Sequence, residues 1–253
     1  MTTRARRLSL ASGLAVRARR VLWHGRAQSW DQQGSEALTD VFAAVLDACR
    51  TTPETVAVDL GCGSGQLTLP LAARCATVLG VDISDEMIEL MRTKALAAGV
   101  DNLQYKVQPI ESLELEPDSI DLVVTNYALH HLRDSDKAAA VRRAFTWLRP
   151  GGQLVIGDMM FGRGASVHDR QVITAKLRAL GRRGPAGWWR ILKNVWRFTL
   201  RTSEKPLSTA SWKGLVEDAG FADIDVQIVV QEAGVLSAVK PSSAGSASAP
   251  AGS

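Results

Sequence analysis

Cysteine is scarce in this 253-residue chain: Cys49, Cys62 and Cys75 are odd in number, form no CxxC pair and have no histidine cluster around them. That excludes a disulfide framework and a zinc site, no metal is expected, and a reducing cytoplasm fits best. Long apolar runs are missing too, since none approaches 18 residues, so no membrane span is expected. Arg6-Arg7 and the apolar stretch 8–16 briefly resemble an export signal. Arg17, Arg19 and Arg20 interrupt that stretch and no small-residue cleavage site follows, so no export signal is expected.

Acid is absent from residues 1–30, which carry seven arginines and a charge of +7. It is nearly absent from residues 163–201, where ten Lys or Arg face the single Asp169 and leave +9. The rest holds 13 bases and 25 acids, or −12, so an acidic body bears two basic appendages. Such blocks meet something anionic, a nucleic acid, a membrane face or an acidic substrate, or else form a solvated face.

What is present is the balance of one globular domain, with 46% hydrophobic and 22% charged residues. From Thr55 onward short apolar runs alternate with helical patterns, which predicts an α/β fold: a Rossmann-like, doubly wound, seven-stranded sheet. Strands are expected at 56–60, 77–81, 103–107, 120–125, 153–158, 223–230 and 235–239. Only a few residues including Gly234 separate the last two, so the mostly parallel sheet should end in an antiparallel hairpin. Helices are expected at 65–74, 85–98, 135–148 and 209–219, with Ser84 and Ser208 or Thr209 as N-caps. Gly99, Gly220 and Pro150-Gly151-Gly152 are the stops. The expected organisation is a basic helical segment at 1–30, a core of 31–162 and 202–240, an insertion at 163–201 and a disordered Pro/Ser/Ala/Gly tail at 241–253.

The strand ending in Asp59 runs into Gly61-Cys62-Gly63-Ser64-Gly65, a tight turn at the carboxyl edge of a parallel sheet. A dinucleotide fingerprint needs its third glycine at the sixth position, where Gln66 stands, and no Gly-Lys-Ser or Gly-Lys-Thr of a Walker loop follows. Asp82, 23 residues after Asp59 at the end of the second strand, is placed to accept hydrogen bonds from both hydroxyls of an adenosine ribose.

Val56-Ala57-Val58-Asp59-Leu60-Gly61-Cys62-Gly63-Ser64-Gly65 resembles the first motif of the class I S-adenosylmethionine-dependent methyltransferases, and Gly80-Val81-Asp82-Ile83-Ser84 their second-strand acidic motif. The likeness continues in order through Asp118–Val124, Ala128-Leu129-His130-His131-Leu132, Leu148-Arg149-Pro150-Gly151-Gly152-Gln153-Leu154 and Ala219-Gly220-Phe221. The resemblance implies S-adenosyl-L-methionine as cofactor. Its methionine part would lie on Gly61, Cys62, Gly63 and Gly65 with Asp59 near its amino group, its ribose on Asp82 beside Ile83, and its other neighbours would include Pro109, Ile110 and Asn126. A carboxylate after the third strand meets the adenine amine in that family. The equivalent position here is Gln108, whose amide can accept from the adenine amine and donate to a ring nitrogen.

A sulfonium methyl is already activated, so alignment and exclusion of water suffice for an amine acceptor, whereas a hydroxyl or carbon acid must also lose a proton. The candidates for that work are Tyr127, His130, His131 and Asp158, at or after the ends of the fourth and fifth strands. Each histidine also reads as a packing residue and Asp158 as a loop anchor.

The acceptor is expected to be read by the basic insertion. Trp188, Ile191, Leu192, Val195, Trp196 and Thr199 recur there at helical spacing, with Arg190, Lys193, Arg197 and Arg201 beside them. The pattern suits an anionic membrane interface, a lid over the active site or an RNA track. The leading expectation is a cytoplasmic enzyme, peripheral to the membrane, that methylates a small, lipophilic acceptor. An RNA methyltransferase and a non-catalytic adenosyl-ligand or partner-binding protein are the alternatives.

Overall fold

The structure, a computed structural model, describes residues 36–162 and 205–242 together with Arg170 and Thr174. The basic segment 1–30, all of 163–201 but those two residues, and most of the 241–253 tail lie outside the described residues.

The elements follow the order α1 (Glu36–Ala48), β1 (Val56–Leu60), α2 (Thr68–Ala72), β2 (Thr77–Asp82), α3 (Asp85–Ala98), β3 (Leu103–Val107), β4 (Ile120–Asn126), α4 (Asp134–Trp147), β5 (Leu148–Met159), α5 (Thr209–Asp218), β6 (Ala222–Val230) and β7 (Ala233–Val239). Single 3-10 turns occupy Ile110–Ser112 and Leu129–His131. The sheet order is β3-β2-β1-β4-β5-β7-β6. Pairing is parallel from β3 to β5, and β7 runs antiparallel to both β5 and β6. The expected doubly wound sheet with its terminal hairpin is therefore observed.

Strand alternation sends successive side chains to opposite faces. Val58 and Leu60 of β1, Val123 of β4 and Ile156 of β5 join Trp147 of α4 and Trp212 of α5 in one buried cluster. Ala57, Val124 and Val155 pack on the opposite face with Val41 and Val45 of α1 and Leu71 of α2. By the same alternation Asp59 and Asn126 belong to the α1 face and Asp158 to the α4 face.

Local chemistry sets the element ends. The Ser84 hydroxyl accepts the Met87 N–H at 3.4 Å, and Asp85 and Glu86 sit in the positive first turn of α3. Gly99 closes α3 with φ 67°, in the left-handed region. Ser208 caps α5 through the Ser211 N–H at 3.2 Å.

Three expectations need correction. The helix expected over 65–74 begins only at Thr68, because Gly65 has φ +86° and spends its N–H on the Cys62 carbonyl at 3.0 Å. The fifth strand starts at Leu148 rather than at 153: Leu148 pairs with Ile120, and Gly151 and Gly152 exchange 2.8 Å hydrogen bonds with Lys240. Pro150-Gly151-Gly152 is thus part of the start of β5 and not merely a helix stop. Helix α1 was not expected at all, although Val41, Val45 and Cys49 recur at the i, i+4 spacing of a buried helix stripe.

Candidate functional site

The chain passes from β1 outward to β2 and β3, then returns to place β4 on the other side of β1. This is the topological switch point, and the crevice forms beyond the carboxyl ends of β1 and β4, where open α/β sheets bind ligands. A cleft of about 880 Å³, counted to its open mouth, lies there. The structure brings Asp59, Gly61, Cys62, Gly63, Asp82, Ile83, Pro109, Ile110, Asn126, Tyr127 and His131 to its wall. It leaves Gly65, Gln108, His130 and Asp158 off that wall.

The loop after β1 is shaped by its glycines. Gly61 has φ +76°, and a Cβ there would stand 2.3 Å from the Ala128 Cβ, so this position seals the loop against the turn after β4. Gly63 has φ +53°, yet a Cβ there would come no closer to the protein than 3.9 Å, to Met87 Sδ. The first glycine serves packing; the second leaves its space for a ligand. Gly65 packs against Met91, 2.7 Å from where its Cβ would be, which accounts for its absence from the cleft.

Asp82 ties the loop to β2. Its Oδ2 accepts the Gly63 N–H at 3.0 Å and its Oδ1 the Ser84 N–H at 2.8 Å, so a lone pair remains on each oxygen for a vicinal diol. Burial pushes its carboxyl above the usual carboxylate range, against the pull of the Ser84, Gly63 and Ile83 N–H groups. Asp59 is fully enclosed, with one oxygen receiving the Thr68 hydroxyl at 2.7 Å. Burial lifts its carboxyl to about 7; the Thr68 bond opposes this and the nearby Asp82 charge adds to it. A cationic group beside Asp59 would stabilise its ionised form. Burial also holds the Cys62 thiol well above its ordinary range, so Cys62 is an uncharged wall and not a nucleophile.

Asn126 at the end of β4 is only 8% exposed, and neither its Nδ2 nor its Oδ1 has a hydrogen-bond partner. An unmet buried amide costs about 1–3 kcal/mol, a cost that a polar ligand in the cleft would relieve. The open space at Gly63, the carboxylates Asp59 and Asp82, and this orphaned carboxamide together fit a ligand with a cationic amino-acid end and a ribose.

Asp158 and His130 form a buried brace on the α4 face. His130 gives its backbone N–H to Asp158 Oδ2 at 2.9 Å and its ring Nδ1 lies 2.6 Å from Oδ1, which also receives the Met159 N–H at 2.7 Å. The His130 carbonyl accepts the Lys205 N–H at 2.7 Å. The carboxylate is thus engaged on both oxygens by His130 and Met159, while His131, its ring centroid 3.9 Å from that of His130, faces the cleft. Tyr127 adopts φ +49° and lines the cleft. Burial and the charges of Glu232 and Asp158 push its phenol upward, which makes it an O–H donor at neutral pH rather than a base.

Gln108 turns back on its own loop: its Nε2 donates to the Ser112 carbonyl at 2.6 Å and reaches Ser112 Oγ at 3.3 Å. The carboxylate that does line the cleft after β3 is Glu111. Phe42, from the unexpected α1, also lines it, as do Met87, Ala128 and Leu132. Glu111 stood three residues past the position chosen by motif spacing, and Phe42 adjoins the Val41/Val45 stripe; both signals were present. Among the described residues no group of three or more His, Cys, Asp or Glu could hold a metal ion.

A family model described as a methyltransferase domain matches residues 57–152. An uncharacterized methyltransferase of Geobacillus sp. (strain WCH70) is 30% identical over 168 residues, which cover 62% of this chain and 72% of that protein. The ubiquinone biosynthesis O-methyltransferase of Xanthomonas campestris pv. campestris (strain B100) is 31% identical over 135 residues, 51% of this chain and 55% of that one. Other curated relatives are covered over 36% to 64% of their length. Among solved structures, the DhpI–SAH complex superposes with a TM-score of 0.64 at 16% identity, over 90% of this chain and 97% of that one. That last likeness is one of fold.

Proposed function

Because the chain belongs to the class I S-adenosylmethionine-dependent methyltransferases, we propose that its cleft binds S-adenosylmethionine and transfers the methyl group to a small, lipophilic acceptor. The observation that carries the reading is the convergence of the Gly61–Gly63 loop, Asp82 and the orphaned Asn126 on one cleft at the switch point. The cofactor supplies a methyl on a sulfonium, whose transfer leaves a neutral thioether. Asp82 takes the ribose hydroxyls, Asp59 sits by the ammonium, Asn126 meets the polar groups of the methionine end, and Ile83, Pro109 and Ile110 flank the base. Glu111 and Gln108 both follow β3, and Glu111 is the better candidate for the adenine amine because it lines the cleft.

Phe42, Ala128 and Leu132 give the cleft apolar lining that would suit a lipophilic acceptor, and a ubiquinone-pathway relative lends weight to an oxygen acceptor on a lipophilic ring. For such an O–H acceptor, His131 takes the proton as the oxygen–methyl bond forms and the methyl–sulfur bond breaks. His130 and Asp158 hold that turn in place, and Tyr127 donates a hydrogen bond. Among the described residues no helix is long and apolar enough to cross a membrane. Contact with an anionic membrane surface would fall to the basic segments 1–30 and 163–201. Incubation with methyl-labelled S-adenosylmethionine and a cellular lipid extract tests the proposal: label should enter an organic-soluble product, and incorporation confined to RNA or absent altogether would refute it.

A further inference from the structure

Helix α4 reaches across to the cleft through one side chain. Arg143 Nη1 donates to the Glu111 carbonyl at 2.8 Å and Nη2 to the Ile110 carbonyl at 2.9 Å, across 32 and 33 residues of sequence. Arg143 makes no ion pair among the described residues, and its Nε is buried without a partner. A guanidinium ordinarily seeks a carboxylate or phosphate. Here its hydrogen bonds go to two consecutive peptide carbonyls of a 3-10 turn.

The rest of that turn is equally committed. The Pro109 carbonyl receives the Ser112 N–H at 3.0 Å and the Ser112 hydroxyl at 3.2 Å, the Ile110 carbonyl also receives the Leu113 N–H at 3.3 Å, and the Ser112 carbonyl receives Gln108 Nε2. All four carbonyls from Pro109 to Ser112 are therefore fixed by hydrogen bonds. Gln108 is joined to the ribose-binding strand by its own N–H, which donates to the Asp82 carbonyl at 2.8 Å. The same short turn presents Pro109, Ile110 and Glu111 to the cleft. Local bonds close it on itself, and Arg143 ties two of its carbonyls to helix α4, across 32 and 33 residues of sequence.

We infer that Arg143 is a positioning residue for the base end of the cofactor: by clamping Ile110 and Glu111 from behind it pre-organises the surface on which the adenine lies, without touching the ligand. The inference rests on the proposal that the cleft binds an adenosyl cofactor. Gln108 then belongs to the same brace, acting through Ser112. A pre-organised turn binds without an ordering cost, and a loosened one binds the same group more weakly. The adenosine part of the ligand should feel the change in full and the amino-acid end should not.

Calorimetric titration of the full chain with S-adenosylhomocysteine and with 5′-methylthioadenosine, which lacks the amino-acid end, separates these contributions. Arg143→Ala should weaken both ligands by the same factor, about tenfold, as expected for two hydrogen bonds from a charged donor. Arg143→Lys, whose single ammonium cannot span both carbonyls in the same geometry, should lose about threefold on both. In turnover the KM for S-adenosylmethionine should rise with kcat held within about twofold. Asp59→Asn is the contrast, because it should weaken S-adenosylhomocysteine and spare 5′-methylthioadenosine. A folded Arg143→Ala that binds both ligands like the wild type, or loses only S-adenosylhomocysteine, overturns the inference. If Arg143→Ala does not fold, the Arg143→Lys comparison decides by the same criteria. Failure of the wild type to bind either ligand would instead overturn the cofactor proposal on which the inference stands.

Discussion

Asp158 grips His130 twice, by its backbone N–H at 2.9 Å and by its ring Nδ1 at 2.6 Å, and the His131 ring packs on the ring so held. Two adjacent histidines thus have different work: one is a buried brace and the other faces the cleft. With the ring Nδ1 proton directed to the carboxylate, His130 has a fixed tautomer and orientation.

This division predicts opposite signatures for the two substitutions. His131→Ala should fold normally and bind S-adenosylhomocysteine within about twofold of wild type, while kcat falls about a hundredfold or more if it serves as the base. Asp158→Ala should instead destabilise the fold by about 3 kcal/mol, since it leaves buried donors without a partner. Urea denaturation and steady-state kinetics distinguish the two. Equal loss of stability in both variants would contradict the assignment.

Asp59 gives a pH dependence with a definite sign. Its folded carboxyl titrates near 7 against 3.8 when unperturbed, so between those values the folded, ligand-free protein holds a proton that the unfolded chain has released. The stability associated with this group is full below about pH 4, declines as pH rises, and is lost above about 7. Ligand binding should run the other way, because an ammonium group favours the ionised carboxylate; affinity for S-adenosylhomocysteine should climb as pH rises through about 7 and then level. Asp59→Asn should flatten both profiles, and profiles unchanged by that substitution would count against the role given to Asp59.

The two loop glycines should fail for different reasons. Gly61→Ala places a methyl 2.3 Å from the Ala128 Cβ at a positive φ, so it should lower stability by about 2 kcal/mol or more. Gly63→Ala meets no protein atom nearer than 3.9 Å and should cost only about 1 kcal/mol of backbone strain while abolishing most ligand affinity. Thermal unfolding with and without S-adenosylhomocysteine reads both effects.

Much of this arrangement was legible in the sequence because the signals were local. Asp59, the glycine turn and Asp82 belong to two strand–turn units, each spanning a few residues, and the apolar periods around them could only make a parallel sheet. Features that depend on where another element lands were not legible. Which of Gln108 and Glu111 faces the cleft depends on how the turn after β3 seats against Arg143 of α4, although both residues stand at or near the motif position. The start of β5 at Leu148 depends on pairing with Ile120 and on Lys240, which lies 92 residues beyond that start. Helix α1 was missed because its stripe of Val41, Val45 and Cys49 precedes the first strand and bears no motif. Yet it supplies Phe42 to the cleft wall.

Trp212 offers a control remote from the chemistry. It is fully buried between α5 and the α4 face of the sheet, so Trp212→Ala should cost about 3–5 kcal/mol in urea unfolding. Whatever variant remains folded should keep its ligand affinity. A matching loss of affinity in folded protein would show that the cleft is coupled to that face more tightly than the contacts imply.

The most direct measurement is isothermal titration of S-adenosylmethionine into the wild-type chain and into Asp82→Ala. The predicted result is saturable binding at one site per chain, weakened at least about thirtyfold when the carboxylate proposed to meet both ribose hydroxyls is removed. No heat of binding to the wild type, or equal affinity in the two proteins, would contradict the assignment of this cleft to the methyl donor.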